Sequence, residues 1–245
     1  MYDQFKGMDS HVRTSRPLQK IFLTALTLVS LLFLASDVLA HGVPQGDKAY
    51  IQESTGVLFL PFVYLGAKHM ITGYDHLLFL FGVIFFLYRL KDVAVYVTLF
   101  AVGHSVTMLI GVLYGISMNA YLVDAIIALS VIYKALDNMG VYKRLFNVQP
   151  DTKAATLLFG LVHGFGLATK LQEFDITADG LFQNLIAFNI GVELGQLLAL
   201  AGILILMGFW RRSSRFVVQA FAINISVVAA GIYLFGHQVS GLISS

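Results

Sequence analysis

Long apolar stretches follow one another through most of this sequence, from about position 56 onward. A helix that crosses a membrane needs roughly 20 mainly apolar residues, because each residue advances the helix by only about 1.5 Å. Stretches of that kind lie at about positions 74–90, 93–115, 119–139, 153–172, 181–209 and 215–237. The pattern therefore predicts an all-α protein, a polytopic transmembrane helical bundle of about six spans.

The overall composition supports the same fold class and excludes several functions. Only 12% of the 245 residues are charged, and the mean hydropathy is +0.78, which is too apolar for an ordinary soluble domain. The formal net charge of +2 is small, so the sequence gives no sign of nucleic-acid binding. Cysteine is absent, which rules out disulfides and thiolate ligands. Any bound metal must therefore be held by nitrogen and oxygen atoms.

The first forty residues have the order of a signal peptide. A polar, basic start is followed by the apolar run 21–34, and Val38 and Ala40 fit the rule of small residues before a cleavage site. The prediction is a cleavable signal over residues 1–40, and the alternative is an uncleaved additional N-terminal helix.

Three further segments complete the predicted organisation. Residues 41–72 form an extracytoplasmic segment, in which the apolar but interrupted run 57–71 is an interfacial or re-entrant helix. Residues 73–237 form a six-helix membrane domain, and residues 238–245 form a short tail. Basic residues concentrate in alternate connections, which predicts a cytoplasmic location for those connections and an extracytoplasmic location for both mature termini. These residues are Arg89 and Lys91, then Lys143, Arg144 and Lys153, then Arg211, Arg212 and Arg215.

Several ionisable residues lie inside the predicted spans, where each costs free energy unless it faces a protein interior or a water cavity. Their positions along the helices put them between the outer surface and the middle of the bilayer. Imidazole and carboxylate are ligands that nickel, cobalt, zinc, iron and manganese accept. The candidate metal ligands are Asp75, His76, His104, Asp124, His163 and Glu193.

Neighbouring residues are predicted to support these ligands. Three glycines at positions 160, 164 and 166 surround His163 and should let another helix approach closely. The spacing of Asn189, Glu193 and Gln196 puts them on one side of a helix, as a polar inward stripe. The hydroxyls of Ser105 and Thr107 are candidates to orient the ring of His104.

Other interpretations of the same residues remain open at this point. Asp75 could cap the first span. Each histidine or carboxylate taken alone could be a structural hydrogen-bond partner, and the whole set could form a proton relay. Lys68, Lys134 and Lys170 lie near span ends, and the expectation is that they extend toward the water interface.

The motifs that contain these residues resemble the HupE/UreJ family of bacterial membrane proteins. They occur in family order over about residues 56–236, and as a set they are specific. The matching runs are Gly73–Leu80 (GYDHLLFL), Gly103–Thr107 (GHSVT), Asp124–Ser130 (DAIIALS), Phe159–Ala168 (FGLVHGFGLA) and Phe188–Gln196 (FNIGVELGQ).

The resemblance implies a small polytopic permease of the bacterial inner membrane, associated with nickel or cobalt supply to hydrogenase or urease. Residue by residue, it marks His69, Asp75, His76, His104, His163 and Glu193 as the metal-handling set. One position departs from the pattern, because Asp124 stands where the family usually has glutamate. That substitution keeps the charge and shortens the reach of the ligand.

Three functions are compatible with such a site. The first hypothesis is a permease for a divalent transition metal ion, nickel or cobalt, with zinc as a further candidate. The second is an intramembrane metal-dependent hydrolase, in which the ion activates water. The third is a metal-binding sensor or an assembly protein, which needs only binding. The expected partners are the ion itself and the lipid bilayer, with a homo-oligomer or a metalloenzyme-maturation protein as further candidates.

Overall fold

The computed structural model describes residues 55–244, apart from residue 88 and residues 173–178, and it describes only the backbone at positions 74, 75 and 90. This part of the chain is helical, without a β-strand among the described residues. The predicted signal peptide, residues 1–40, lies outside the described residues. The described helices are α1 (Phe59–Thr72), α2 (Tyr74–Ile84), α3 (Leu90–Tyr114), α4 (Ala120–Asn138), α5 (Val141–Phe146), α6 (Thr152–Gln172), α7 (Leu181–Trp210) and α8 (Phe216–Ser244).

The helices agree with the predicted spans except at two boundaries. α2 ends at Ile84, short of the predicted position 90, and α8 continues past the predicted position 237 to Ser244. Four helices, α3, α6, α7 and α8, are long and apolar enough to cross a membrane. α2 has only 11 residues, and α4 carries three charged side chains within its 19 residues. The all-α fold is confirmed, and the number of six spans stays a prediction.

Glycines allow the closest contacts between helices. α3 packs along α6, where a Cβ atom added to Gly103 would lie 2.6 Å from Leu157 O and one added to Gly160 would lie 2.5 Å from Phe100 O. α1 packs along α7 in the same way, with Gly195 against the backbone of Ala67. Any larger side chain at these positions would push the two backbones apart. The prediction that glycines around His163 permit close approach is confirmed.

α1 and α2 follow each other along α7 as two halves of one broken helix. Near the start of α7, Leu58 N donates to Asn184 Oδ1 at 2.8 Å, and Gly195 lies farther along against Ala67. Beyond the end of α7, Arg211 donates to Ile84 O at 2.7 Å. Residue numbers therefore increase in the same direction along α7 and along the two helices packed on it. Both α1 and α2 run parallel to α7.

The break between the two halves is at Gly73, whose backbone is extended (φ −75°, ψ 93°). Its N–H donates to His69 O at 2.9 Å, which closes the last turn of α1. Gly73 is also the N-cap of α2, so Asp75 lies inside the first turn and not at the cap position. The alternative role of Asp75 as the helix cap is therefore wrong.

The other end of α2 is completed by a side chain from the connection between α7 and α8. The Arg211 guanidinium donates to the carbonyl oxygens of Ile84 and Phe85, at 2.7 Å and 2.9 Å. Carbonyl groups at a helix C-terminus have no partner within the helix, and a cation there also complements the helix dipole. Arg211 therefore stabilises a helix that stops after eleven residues.

Candidate metal centre

Four imidazoles from four different helices meet in the interior of the bundle. They are His69 at the end of α1, His76 in the first turn of α2, His104 in the middle of α3 and His163 in the middle of α6. We call this group the histidine cluster. His76 is its centre, because its ring centroid lies 4.8 Å from that of His163, 5.2 Å from that of His69 and 5.8 Å from that of His104.

Three of these side chains are arranged so that they could share one ion. His69, His76 and His104 each offer a ring nitrogen, and these three nitrogens lie within 4.8 Å of one another. Bond lengths of about 2.0–2.1 Å to a transition metal would require nitrogens no more than about 4.2 Å apart. Small rotations of the side chains would therefore close the group around one ion.

Burial divides the cluster into an accessible side and a closed side. His76, His104 and His163 are 1%, 0% and 1% exposed, whereas His69 is half-buried. His69 is therefore the most accessible member of the cluster. Taking the three buried rings out of water is unfavourable unless they have polar partners, which is why such groups are seldom placed in a core for packing alone.

A layer of phenylalanines closes the cluster on one side. His163 contacts Phe100 and Phe79, with ring centroids 5.0 Å and 5.8 Å away. Phe79 in turn packs on Phe100 at 5.5 Å and on Phe159 at 5.6 Å. We call Phe79, Phe100 and Phe159 the phenylalanine layer. It keeps water from the closed side of the cluster and lowers the local dielectric constant, which strengthens ion–ligand interactions.

The two hydroxyl residues beside His104 differ in their surroundings. The Thr107 hydroxyl donates to Leu161 O on α6 at 2.7 Å, and Gly103 O lies 3.0 Å away. Thr107 thereby fixes α3 against α6, so it positions His104 and His163 through their helices. Ser105 is half-buried, and no hydrogen bond of its hydroxyl is found among the described residues.

The three predicted acidic ligands differ in their burial and in what is described of them. Asp124 is buried in α4, where its Oδ2 lies 3.3 Å from Lys170 Nζ on α6. Glu193 is exposed on the outer surface of α7, contrary to the expected inward stripe. The side chain of Asp75 lies outside the described part of the chain.

The other two members of the predicted stripe on α7, Asn189 and Gln196, are less exposed than Glu193. Gln196 is fully buried, and Asn189 is half-buried with its Nδ2 donating to Leu185 O at 3.0 Å. Helical spacing places residues on one side of a helix, but the neighbouring helix covers only part of that side. Glu193 lies on the uncovered part.

Sequence analysis missed a second polar group, which contains Lys134 and Asp137 near the end of α4. Lys134 was expected to extend toward water, and that expectation is wrong, because the side chain is 2% exposed and its Nζ lies 2.6 Å from Asp137 Oδ2. The spacing of three residues between a lysine and an aspartate was the available signal, since such residues are neighbours on a helix. Lys170 also pairs with a carboxylate, that of Asp124.

Comparisons with known proteins give one match. The sequence model of the family described as HupE / UreJ protein matches residues 45–242, which is most of the chain. No curated protein and no solved structure matches the chain.

Proposed function

Because the chain belongs to the HupE/UreJ protein family, we propose that it is a permease that carries a divalent transition metal ion, nickel or cobalt, across the membrane. The family and the four long apolar helices identify an integral membrane protein. The placement in a bacterial inner membrane, with both mature termini on the extracytoplasmic side, is part of the proposal.

The observation that carries this proposal is the convergence of four imidazoles from four helices. Neutral imidazole binds nickel, cobalt and zinc well, and the chain has no cysteine that would favour softer or permanently bound ions. Imidazoles also bind such ions reversibly, and a permease must release the ion that it binds. The ion is therefore the transported substrate and not a permanent cofactor.

The broken helix supports transport in particular. In many transporters, ion sites lie where a spanning helix is interrupted, because the exposed carbonyl groups at the end of the first half attract cations. Here the break at Gly73 lies between His69 and His76, two members of the cluster. We propose that α1 and α2 form one interrupted crossing, with the ion bound at the interruption.

The burial of the four rings suggests an order of contact. His69, the half-buried member, receives the ion first, and His76 passes it between His104 and His163. Asp75 lies one residue before His76 and is proposed to help remove the ion's water. Asp124 and Glu193 remain proposed contributors, and Glu193 would need a neighbouring protein copy or a helix rotation to reach the ion.

Protons should compete with the transported ion. A ring nitrogen that has bound a proton cannot bind a metal, so metal binding to several imidazoles weakens as the pH falls. The sequence has no nucleotide-binding loop, and we propose that an ion gradient, the membrane potential or a partner protein supplies the energy.

The deciding experiment is uptake of radiolabelled nickel and cobalt by cells that lack their own transporter. Cells with the wild-type chain should accumulate one of the ions, and His104→Ala and His163→Ala should abolish accumulation at equal protein levels. His237→Ala is the matched control, because His237 is exposed near the far end of α8. It should transport like the wild type.

Another outcome would favour the enzyme or the sensor. If the wild-type chain gives no uptake while the purified protein still binds a metal that His104→Ala loses, transport is the wrong function. A hydrolase would then be expected to keep a fixed three-ligand ion with bound water, and the three nitrogens of His69, His76 and His104 would be its ligands.

A further inference from the structure

The side chain of Gln196, on α7, is completely buried, and its amide forms no hydrogen bond with any described residue. It is 0% exposed, and neither its Oε1 nor its Nε2 has a partner in the described part of the chain. A buried amide without partners lowers the stability of a protein, and in a native fold such a group often contacts a bound ion or water. Gln196 therefore has the features of a residue that binds something other than its own chain.

Another buried amide on the same helix shows what a structural role looks like. Asn184, near the start of α7, is also buried. Its Oδ1 accepts from Leu58 N at 2.8 Å, and its Nδ2 donates to Gly56 O at 2.9 Å. Both polar atoms of Asn184 are satisfied by the backbone that precedes α1. Gln196 holds no segment in place in this way.

Contacts with α1 give the level of Gln196 in the bundle. A Cβ atom added to the preceding residue, Gly195, would lie 2.6 Å from Ala67 O and 3.1 Å from Met70 Cβ. Met70 directly follows His69, and both belong to the last turn of α1. Gln196 therefore lies at the level of the α1 turn that carries His69, beside the break between α1 and α2.

Contacts with α3 show which side of α7 carries Gln196. Val192 and Leu200, one turn before and one turn after Gln196, lie on the same side of this helix. Both belong to the hydrophobic core that also contains Met108 of α3. Met108 follows His104 by one turn of α3. The side of α7 around Gln196 therefore faces the part of α3 that contributes His104 to the histidine cluster.

An amide oxygen is suited to complete a site built from imidazoles. The three ring nitrogens that could share one ion come from α1, α2 and α3. Nickel and cobalt accept oxygen ligands together with imidazole nitrogens. The carboxylate of Glu193 is exposed on the outer surface of α7, whereas the amide of Gln196 lies inside. Gln196 is therefore better placed than Glu193 to supply an oxygen from α7.

We propose that Gln196 Oε1 is an oxygen ligand of the transported ion at the histidine cluster. The inference rests on the proposed permease function and adds a ligand from α7 to the same site. An uncharged oxygen attracts a divalent ion less strongly than a carboxylate does, which favours release. It also binds no proton near neutral pH, so the ion displaces none from it.

Equilibrium binding of Co²⁺ to the purified full-length protein tests this role. Gln196→Leu removes the oxygen and should weaken binding about tenfold. Gln196→Glu keeps an oxygen at the same distance from the backbone and adds a negative charge, so it should bind Co²⁺ more tightly than the wild type. The visible absorption spectrum of bound Co²⁺ depends on its ligands and geometry, and it should change in Gln196→Leu.

Unfolding of the metal-free protein separates a ligand from a structural residue. Gln196→Leu replaces an amide without partners by an apolar group of similar size, so it should unfold at the same or a higher temperature than the wild type. Asn184→Leu is the matched control, because it removes a buried amide that has two partners. It should lower the unfolding temperature and leave the affinity for Co²⁺ and the spectrum unchanged.

The possible results separate this inference from the permease proposal. If Gln196→Leu binds Co²⁺ with the affinity and spectrum of the wild type, the inference is overturned, even when cells take up the ion. If its affinity falls only together with its unfolding temperature, and the spectrum stays the same, the amide is structural and the inference is wrong. If affinity and spectrum change as expected but cells with the wild-type chain take up neither nickel nor cobalt, Gln196 stands as a ligand and the permease function fails.

Discussion

His76 is the residue whose position has the greatest consequence for metal binding. Its ring contacts those of the three other histidines in the cluster, and it is 1% exposed. Replacing it by alanine should weaken Co²⁺ binding by at least about tenfold, because one ligand is lost and the other rings lose their common contact. Equilibrium dialysis of the purified protein measures this change.

His69 provides the comparison for that prediction. It is half-buried and its ring contacts that of His76, at 5.2 Å, so His69→Ala should weaken Co²⁺ binding less than His76→Ala. If the wild type and His76→Ala bind Co²⁺ with equal affinity, His76 is not a ligand of the ion.

The charged residues show that the position of a side chain along a helix does not determine its burial or its partner. Asp124, Lys134 and Glu193 all lie within helices that consist mostly of apolar residues. Asp124 and Lys134 are buried beside partners of opposite charge, whereas Glu193 is exposed. Position in the sequence gives the depth of each side chain, but its partner depends on the rotation of the helix against its neighbours.

At the scale of helices, the contact between α3 and α6 determines the distance between His104 and His163. Gly164 of α6 lies against His104 O and the Thr107 hydroxyl of α3. Because glycine has no side chain, the two helices can approach each other closely here. Gly164→Val should lower the stability by about 1–3 kcal/mol through overpacking, and it should also weaken Co²⁺ binding because the two rings move apart. Thermal unfolding and cobalt titration in detergent measure the two effects.

Gly202 of α7 is the matched control for this substitution. An added Cβ atom at Gly202 would meet no atom within 4 Å, so Gly202→Val should change neither the unfolding temperature nor cobalt binding by a comparable amount. Similar losses in both variants would mean that valine disturbs any helix here, and that the α3–α6 contact has no special role.

The interruption between α1 and α2 has a different consequence at the same scale. A continuous helix would present His69 and His76 at a spacing of seven residues, on one face but about 10 Å apart along the axis. The extended backbone at Gly73 ends this regular spacing, and the two ring centroids lie 5.2 Å apart. The break therefore brings together two imidazoles that an unbroken helix would hold apart.

At the scale of the molecule, the phenylalanine layer separates the histidine cluster from the pair of Lys134 and Asp137. The proposed permease would need polar groups on both sides of such a barrier. Every residue of α7 from Leu197 to Met207 is apolar. The rings of Phe159 and Tyr133 instead lead between α6 and α4, toward Asp137.

The proposed orientation can be tested because the chain contains no cysteine. Ser117, between α3 and α4, and Ser214, between α7 and α8, are both exposed. Since basic residues surround only the second connection, Ser117→Cys should react with a membrane-impermeant maleimide in intact cells. Ser214→Cys should react only after permeabilisation, and the reverse pattern would invert the topology.

Much of this architecture was predictable from the sequence, because apolar length and glycine positions are local properties. The all-α fold follows from runs of about 20 apolar residues. His76, His104 and His163 could be recognised as candidate ligands, because an ionisable group in an apolar helix needs a partner. The shared placement of these histidines in the interior agrees with that expectation.

The tertiary structure decided which side chains meet, and it did so through packing between segments that are distant in sequence. It brought His69 to His76 through the break at Gly73, and it placed Glu193 on an uncovered surface. It also turned Lys134 inward to Asp137. A helix presents every direction around its axis, so the sequence fixes the order and depth of its side chains, whereas the neighbouring helices determine which of them lie inside.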